Sequence, residues 1–147
     1  MIDPLCTWAE PVQDAWIDYN GHLSEAYYVL VLGHATDAVM DAVGLGPDYR
    51  SSTGSSLYTV EAHVRYLDQV GRGETLEVRS WVLGATSKLM WTWHELYAAG
   101  TLRATEEVLG VHVTGSAATP FPAPLRAHLD DVRTPPGPEA SRAIRLG

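Results

Sequence analysis

The residues of this chain best suited to chemistry stand together near its start, in Asp18-Tyr19-Asn20-Gly21-His22 followed by Leu23-Ser24-Glu25-Ala26-Tyr27-Tyr28. A carboxylate precedes a glycine by three residues, and the glycine lies where an apolar helical segment begins. Amide N–H groups at a helix start have no intrahelical partner and carry partial positive charge. Aimed at a carbonyl oxygen they would polarise it and hold an oxyanion, while Gly21 lets a substrate approach the backbone closely. Asp18 would then act on the same carbonyl carbon, as nucleophile or as general base for water. The alternative is structural: Asp and Asn are favoured helix caps, and Asp18 or Asn20 in that role does no chemistry. His22 shares the loop, either beside the reacting group or turned to solvent.

Other polar residues fall on patterned strands. Glu61 and His63 are two apart, so they share one strand face and line either a pocket or a solvated surface. Glu106 and Glu107 are adjacent in a strand and point to opposite faces unless a bulge intervenes, so one of them faces inward. Five Trp and seven Tyr against one Phe is an unusual aromatic mix. Trp16, Tyr19, Tyr27, Tyr28 and Tyr58 lie near the loop, where such rings either hold a quaternary ammonium group or fill a core. Arg65, Arg72, Arg79 and Arg103 would hold a small anion if the fold grouped them, and are scattered surface charge otherwise. His94-Glu95 lacks the second histidine of a zinc-binding H-E-x-x-H, since position 98 is alanine. Gly44-Leu45-Gly46 lacks a third glycine and follows a helix, so it is not a dinucleotide fingerprint. Neither a nucleophile elbow nor a P-loop is present, and no metal or nucleotide cofactor is expected.

The elements that must position the loop follow from periodicity. Residues 7–13 read as a short strand that Pro11 confines to an edge. Residues 24–43 form the one long helical segment, ended by Gly44, Gly46 and Pro47. Its first half, Ala26-Tyr27-Tyr28-Val29-Leu30-Val31-Leu32, is apolar on nearly every side, which predicts a helix buried all round. A loop, SSTGSS, precedes Tyr58, Val60, Ala62, Val64 and Tyr66, which alternate with polar residues at the period of a strand. Residues 76–82, 89–97 and 102–113 continue as strands, the last two joined by Ala98-Ala99-Gly100-Thr101. The sum is an α+β fold, an antiparallel sheet of about five strands wrapped around one long buried helix. Residues 1–114 make up this domain, and residues 115–147 form a Pro-rich tail with one short helix near 124–132.

The chain has 147 residues, 46% of them hydrophobic, enough for a single core without a disulfide framework. Ten basic residues against 18 acidic ones give a formal charge of -8, and Lys88 is the only lysine. That balance argues against nucleic acid as a partner. The longest apolar stretch is too short to span a membrane, the N-terminus does not read as a leader, and the lone Cys6 fits a reducing cytoplasm. An uncovered sheet edge predicts a homodimer or homotetramer.

Asp18-Tyr19-Asn20-Gly21-His22 with Tyr28, ahead of one helix and four strands, resembles the D-x-x-G-H signature of hotdog-fold acyl-CoA thioesterases of the 4-hydroxybenzoyl-CoA thioesterase type. The resemblance covers residues 7–114. The strings WIDYNGHLSEAYYVL, EAHVRYLDQV and ATEEVLGVHV look most like the betainyl-CoA thioesterase subgroup associated with carnitine breakdown. What the resemblance implies is hydrolysis of a small acyl-CoA to free acid and coenzyme A, with coenzyme A as part of the substrate and not a cofactor. It implies that Asp18 is the catalytic carboxylate and that the Gly21 N–H contacts the thioester oxygen. Asn20, Tyr27, Tyr28, Glu61 and His63 are the expected substrate contacts, and His22 completes the catalytic loop. It also implies a site at a subunit interface. The family often carries Asp where Trp16 stands and Asn where Ser24 stands, which alters the hydrogen bonding at the helix start. The rival readings are a hotdog hydratase, whose Asp-to-His interval is five where Asp18 to His22 is four, and a non-catalytic acyl-CoA binding module.

Overall fold

The computed structural model describes residues 2–140 together with Ile144 and Leu146. Its centre is α1, Glu25–Val43, which ends where Gly44 turns into the left-handed conformation (φ 87°) and returns its N–H to Asp41. Tyr28, Val31, Leu32, Ala35, Val39 and Val43 are buried, the three-and-four spacing of one helical stripe. The other side is open: Val29 and Leu30 are 44% and 42% exposed, with Ala26 and Gly33 beside them. The expectation of a helix buried all round therefore fails for the single chain, because the sheet covers only one side of it.

The sheet is antiparallel throughout, with β1 (Cys6–Pro11), β2 (Ser55–Tyr66), β3 (Thr75–Ala85), β4 (Leu89–Ala98) and β5 (Thr101–Thr114) in the order β1-β3-β4-β5-β2. A two-residue strand β6, Ala117–Ala118, adds to β5. Its inward side meets α1, as a curled sheet around a helix, the hotdog arrangement. Two local features depart from the strand and loop pattern read above. Pro47 ends α1 but opens a second helix, α2 (Pro47–Thr53), since proline is tolerated in a first turn where its missing N–H has no partner. In β2 the register jumps between Thr59 and Glu61, and Val60 is the extra residue. The strict alternation over residues 58–66 is thus broken: Ser55 and Leu57 are buried before the bulge, and Ala62, Val64 and Tyr66 face the helix after it.

The Pro-rich segment after Gly115 lies against the sheet through α3, Ala123–Val132. Phe121 and Leu129 join Val39, Val43, Val82 and Met90 in one core cluster. On the outer face, Ala140 and Ile144 are buried against Trp81, Leu83, Trp91, Trp93 and Leu109. Residues 141–143, 145 and 147 of the expected tail lie outside the described residues.

One buried polar residue sets how α1 sits on the sheet. His94, fully buried on β4, contacts Ser80 of β3 through Nδ1 (2.7 Å) and Thr36 of α1 through Nε2 (2.8 Å). Thr36 donates its hydroxyl proton to the Leu32 carbonyl (3.2 Å), so it accepts from the imidazole, which fixes the proton on Nε2 and leaves Nδ1 to accept from Ser80. Both ring nitrogens are satisfied in the neutral form, and burial, which penalises the charged form, pushes His94 down to about 3 from 6.5. Below pH 6.5 the unfolded chain takes up a proton that the folded chain refuses, so this residue costs stability as the pH falls from 6.5 toward 3. Urea unfolding at pH 7, 5.5 and 4.5 is expected to show it. The wild type loses up to about 1.4 kcal/mol per pH unit more than His94→Gln, whose amide does not titrate.

Candidate active site

The Asp18 loop is held at three points. Ile17 and Leu23 pair as an antiparallel bridge, His22 pairs with Gly71, and the Leu23 N–H donates to the Val70 carbonyl (2.8 Å). Within the loop, Asp18 N–H donates to the His22 carbonyl (2.9 Å) and Gly21 N–H to the Asp18 carbonyl (3.0 Å). That closure puts Gly21 at φ 83°, which L side chains rarely adopt. Trp16, buried below, accepts the Ser24 N–H on its carbonyl (3.0 Å) and stacks on Tyr27 at 5.4 Å between ring centres.

Asp18 does not cap α1. Ser24 occupies that position and makes no side-chain cap bond. Asp18 Oδ1 instead accepts from the Asn20 N–H (2.9 Å) and, more weakly, from the His22 N–H (3.3 Å). Its Oδ2 has no hydrogen-bond partner among the described residues, and the half-buried residue borders a cleft of about 530 Å³. His22, Leu23, Ser24, Glu25, Tyr28 and Tyr66 share that cleft with Leu67, Asp68 and Gln69. The Gly21 N–H, expected to hold a substrate oxygen, is already bonded inside the loop; the glycine's part is its backbone conformation. The amides free at the helix start, with no acceptor among the described residues, are those of Glu25 and Ala26. A half-buried carboxylate with one uncommitted oxygen, beside unpartnered helix-start amides, is equipped to add to a carbonyl and hold the resulting oxyanion.

The other expected contacts separate into two groups. Tyr28 lies on the cleft, buried, its hydroxyl donating to the Asp68 carbonyl (3.1 Å) and its ring edge-on to Tyr66 at 5.2 Å. Burial pushes its phenol above the usual range, so it stays neutral. Tyr27 is committed to Trp16, and Asn20 is exposed, contributing its amide to Asp18. Glu61 and His63 are exposed on β2, across from Leu109 and Glu107, which belong to the outer face. The structure therefore does not bring them to the Asp18 cleft. The four arginines do not gather either, since Arg65 pairs with Glu139, Arg72 with Asp14, Arg79 with Glu77 and Arg103 with Glu74.

The residues that sequence reading missed come from the β2–β3 connection. Arg103 organises it: its guanidinium bonds Glu74 (3.0 Å), the Ala98 carbonyl (3.1 Å) and the Gln69 carbonyl, and its own carbonyl accepts from Leu67 and Asp68. Glu74 in turn accepts the Gly71 N–H at 2.6 Å. Arg103 thus shapes the segment that braces His22 and Leu23. In the sequence Arg103 is only one of four arginines that could hold a small anion, which names no partner within the chain.

Fold and cleft together define an α+β hotdog protein with a carboxylate at the mouth of its central helix. The chain belongs to the thioesterase-like superfamily, whose model matches residues 12–129. It is 37% identical to the betainyl-CoA thioesterase of Pseudomonas aeruginosa over 98% of this chain and 90% of that protein. It is 40% identical to the L-carnitine dehydrogenase/betainyl-CoA thioesterase of Agrobacterium fabrum, where it covers 97% of this chain but only 31% of that longer protein. Among solved structures, a protein from Pseudomonas putida KT2440 superposes with a TM-score of 0.80 at 34% identity, covering 100% of this chain and 99% of that one.

Removing the Arg103 guanidinium leaves Glu74 without its counter-charge and takes a donor from the Gln69 and Ala98 carbonyls in a mostly buried place. Arg103→Met is expected to lower the unfolding free energy by about 3 kcal/mol and to speed amide exchange in residues 67–74. Urea titration and hydrogen exchange check both.

Proposed function

We propose that this chain hydrolyses a small acyl-CoA thioester in the Asp18 cleft. The observation that carries the reading is Asp18 itself, braced through Oδ1 and free at Oδ2 among the described residues, in a cleft it shares with Glu25 at the start of α1, where the Glu25 and Ala26 amides have no acceptor among the described residues. The thioester oxygen rests on those amides. In one route Oδ2 adds to the carbonyl carbon, the C–S bond breaks, coenzyme A leaves as thiolate and takes a proton, and water cleaves the mixed anhydride. In the other, Oδ2 removes a proton from water as its oxygen adds, and the same C–S bond breaks. Gly21 shapes the loop in both. Coenzyme A is a substrate part here, and no cofactor is needed by either route. Names of relatives with 37% and 40% identity support betainyl-CoA as the substrate.

The working unit we propose is a homodimer, in the reducing cytoplasm that the free Cys6 suits. Support comes from the open side of α1 and the adjoining edge strand β2, where Val29, Leu30, Tyr58 and Val60 are 42–58% exposed. A second copy of the same face would cover them.

Asp18→Asn keeps an acceptor for the Asn20 and His22 amides and removes the charge. It is expected to lower turnover at least about 100-fold with acyl-CoA affinity held within about 3-fold, measured by thiol release and by calorimetric titration. Undiminished hydrolysis would return Asp18 to a purely structural role. In single-turnover hydrolysis in isotopically labelled water, label entering the Asp18 carboxylate marks the anhydride route with water attacking at the aspartyl carbon, whereas base catalysis puts label only in the acid product. Leu30→Glu is expected to halve the mass seen by light scattering and to reduce turnover with it.

A further inference from the structure

The groove between the open side of α1 and β2 contains a group that the hydrolytic steps leave unused. Glu106 stands on the helix-facing side of β5, across from Val64 on β2 and His94 on β4. It is only 5% exposed, and among the described residues no hydrogen bond or ion pair engages its carboxylate. Val29, Leu30, Gly33, Ala62 and Val108 line the groove with it. Buried carboxylates are ordinarily paired or hydrogen-bonded. Lacking either, Glu106 is pushed by burial up to about 7.

Tyr66 connects this carboxylate to the Asp18 cleft. Its ring borders the cleft, and its hydroxyl reaches the Glu25 carbonyl at 3.5 Å. Val64 stands across from Glu106 and Tyr66 across from Ala104, so Tyr66 and Glu106 are diagonal neighbours on the helix-facing side of the sheet. Burial raises the Tyr66 phenol first, and the negative charges of Glu25 and Glu106 raise it further. No lysine or arginine lines cleft or groove among the described residues; the acidic residues there are Asp18, Glu25, Asp68, Asp37 and Glu106.

We propose that Glu106 is the specificity-determining counter-charge for a cationic acyl group, a quaternary ammonium that sits against its carboxylate and the face of Tyr66. This rests on the thioesterase reading of Asp18 and on a quaternary ammonium acyl group as substrate. In such a thioester, with one methylene between carbonyl and ammonium, the positive nitrogen is two bonds from the reacting carbon. Whatever recognises it must border the place where the oxyanion forms; Tyr66 lines the Asp18 cleft, and Glu106 is its diagonal neighbour on the same side of the sheet. A desolvated ammonium supplies the charge that Glu106 lacks, and the tyrosine face adds cation–π attraction. An uncharged acyl group of the same shape leaves the carboxylate uncompensated.

Glu106→Gln keeps the shape and removes the charge. The substrates are betainyl-CoA and 3,3-dimethylbutyryl-CoA, in which carbon replaces the ammonium nitrogen. The wild type is expected to prefer the cation at least about 100-fold in kcat/KM, and the variant to lose at least about 30-fold of that preference, chiefly through KM. Competitive inhibition by free trimethylglycine is expected to weaken at least about 10-fold in the variant, with its melting temperature confirming the fold. A preference that survives in Glu106→Gln overturns the role of Glu106 alone. A wild type that hydrolyses the neutral ester as well as the cationic one overturns the substrate reading and the proposal with it, and thiol release lost in Asp18→Asn for either ester still reports separately on Asp18.

Discussion

The site depends on how α1 is seated against the concave side of the sheet. Six side chains of one stripe are buried there, the valines and the leucine contributing roughly 1.5–3 kcal/mol each and Ala35 less. That apolar seam decides that the helix docks, but it tolerates sliding. Register is set by polar pins, each worth only about 1 kcal/mol net but costly to leave unmade. His94 holds Thr36 near the middle of the helix, Glu10 of β1 holds His34 at 2.6 Å, and Tyr28 holds the Asp68 carbonyl at the first turn. A helix fixed at those points presents the Glu25 and Ala26 amides at one place, and the carbonyl chemistry needs them there.

The same logic continues outward to the carboxylate. A charged loop residue has no core to hold it, and Asp18 is placed by a relay that ends on Arg103. The guanidinium shapes residues 67–74, these pair with His22 and Leu23, and the closed loop turns the Asp18 side chain onto its own amides. Only Gly21 makes the closure without strain, since its positive φ disfavours any L side chain. Arg103 is thus a structural residue whose effect reaches the reaction through backbone alone.

What the sequence made legible was what is local. Asp18 and Gly21 are three residues apart in one loop, the helix carries its own stop at Gly44, and β3 to β5 are long runs of strand-forming residues bounded by turns. The unread parts depend on neighbours far along the chain. Tyr66, Asp68 and Arg103 reach the loop only because β2, β5 and α1 converge. The amide of Gly21 looked available until the closure with Asp18 was seen, and the free amides proved to be one turn later. Glu61 and His63 were grouped correctly on one face, but the bulge at Val60 changes which side of β2 meets the helix. Pro47 reads equally as the end of one helix and the start of another, because proline suits both positions. Glu106 and Glu107 illustrate the limit best: alternation says that they point apart, and only the cross-strand partners Val64 and His63 say which one faces the helix.

The charge distribution around the cleft has a consequence for turnover under the proposed reading. Hydrolysis turns a neutral thioester carbonyl into a carboxylate within a site already lined by Asp18, Glu25 and Asp68. Two like charges about 4 Å apart in surroundings of intermediate dielectric repel by about 4 kcal/mol, so the new anion is expelled by the residues that admitted its precursor. A cationic substituent two bonds away opposes that expulsion while it remains against Glu106 and Tyr66. Binding and release are then governed by different ends of one small molecule, the ammonium drawing it in and the carboxylate driving it out. An acidic chain with no lysine or arginine at its cleft among the described residues is suited to that division in a way that a neutral pocket of the same shape is not.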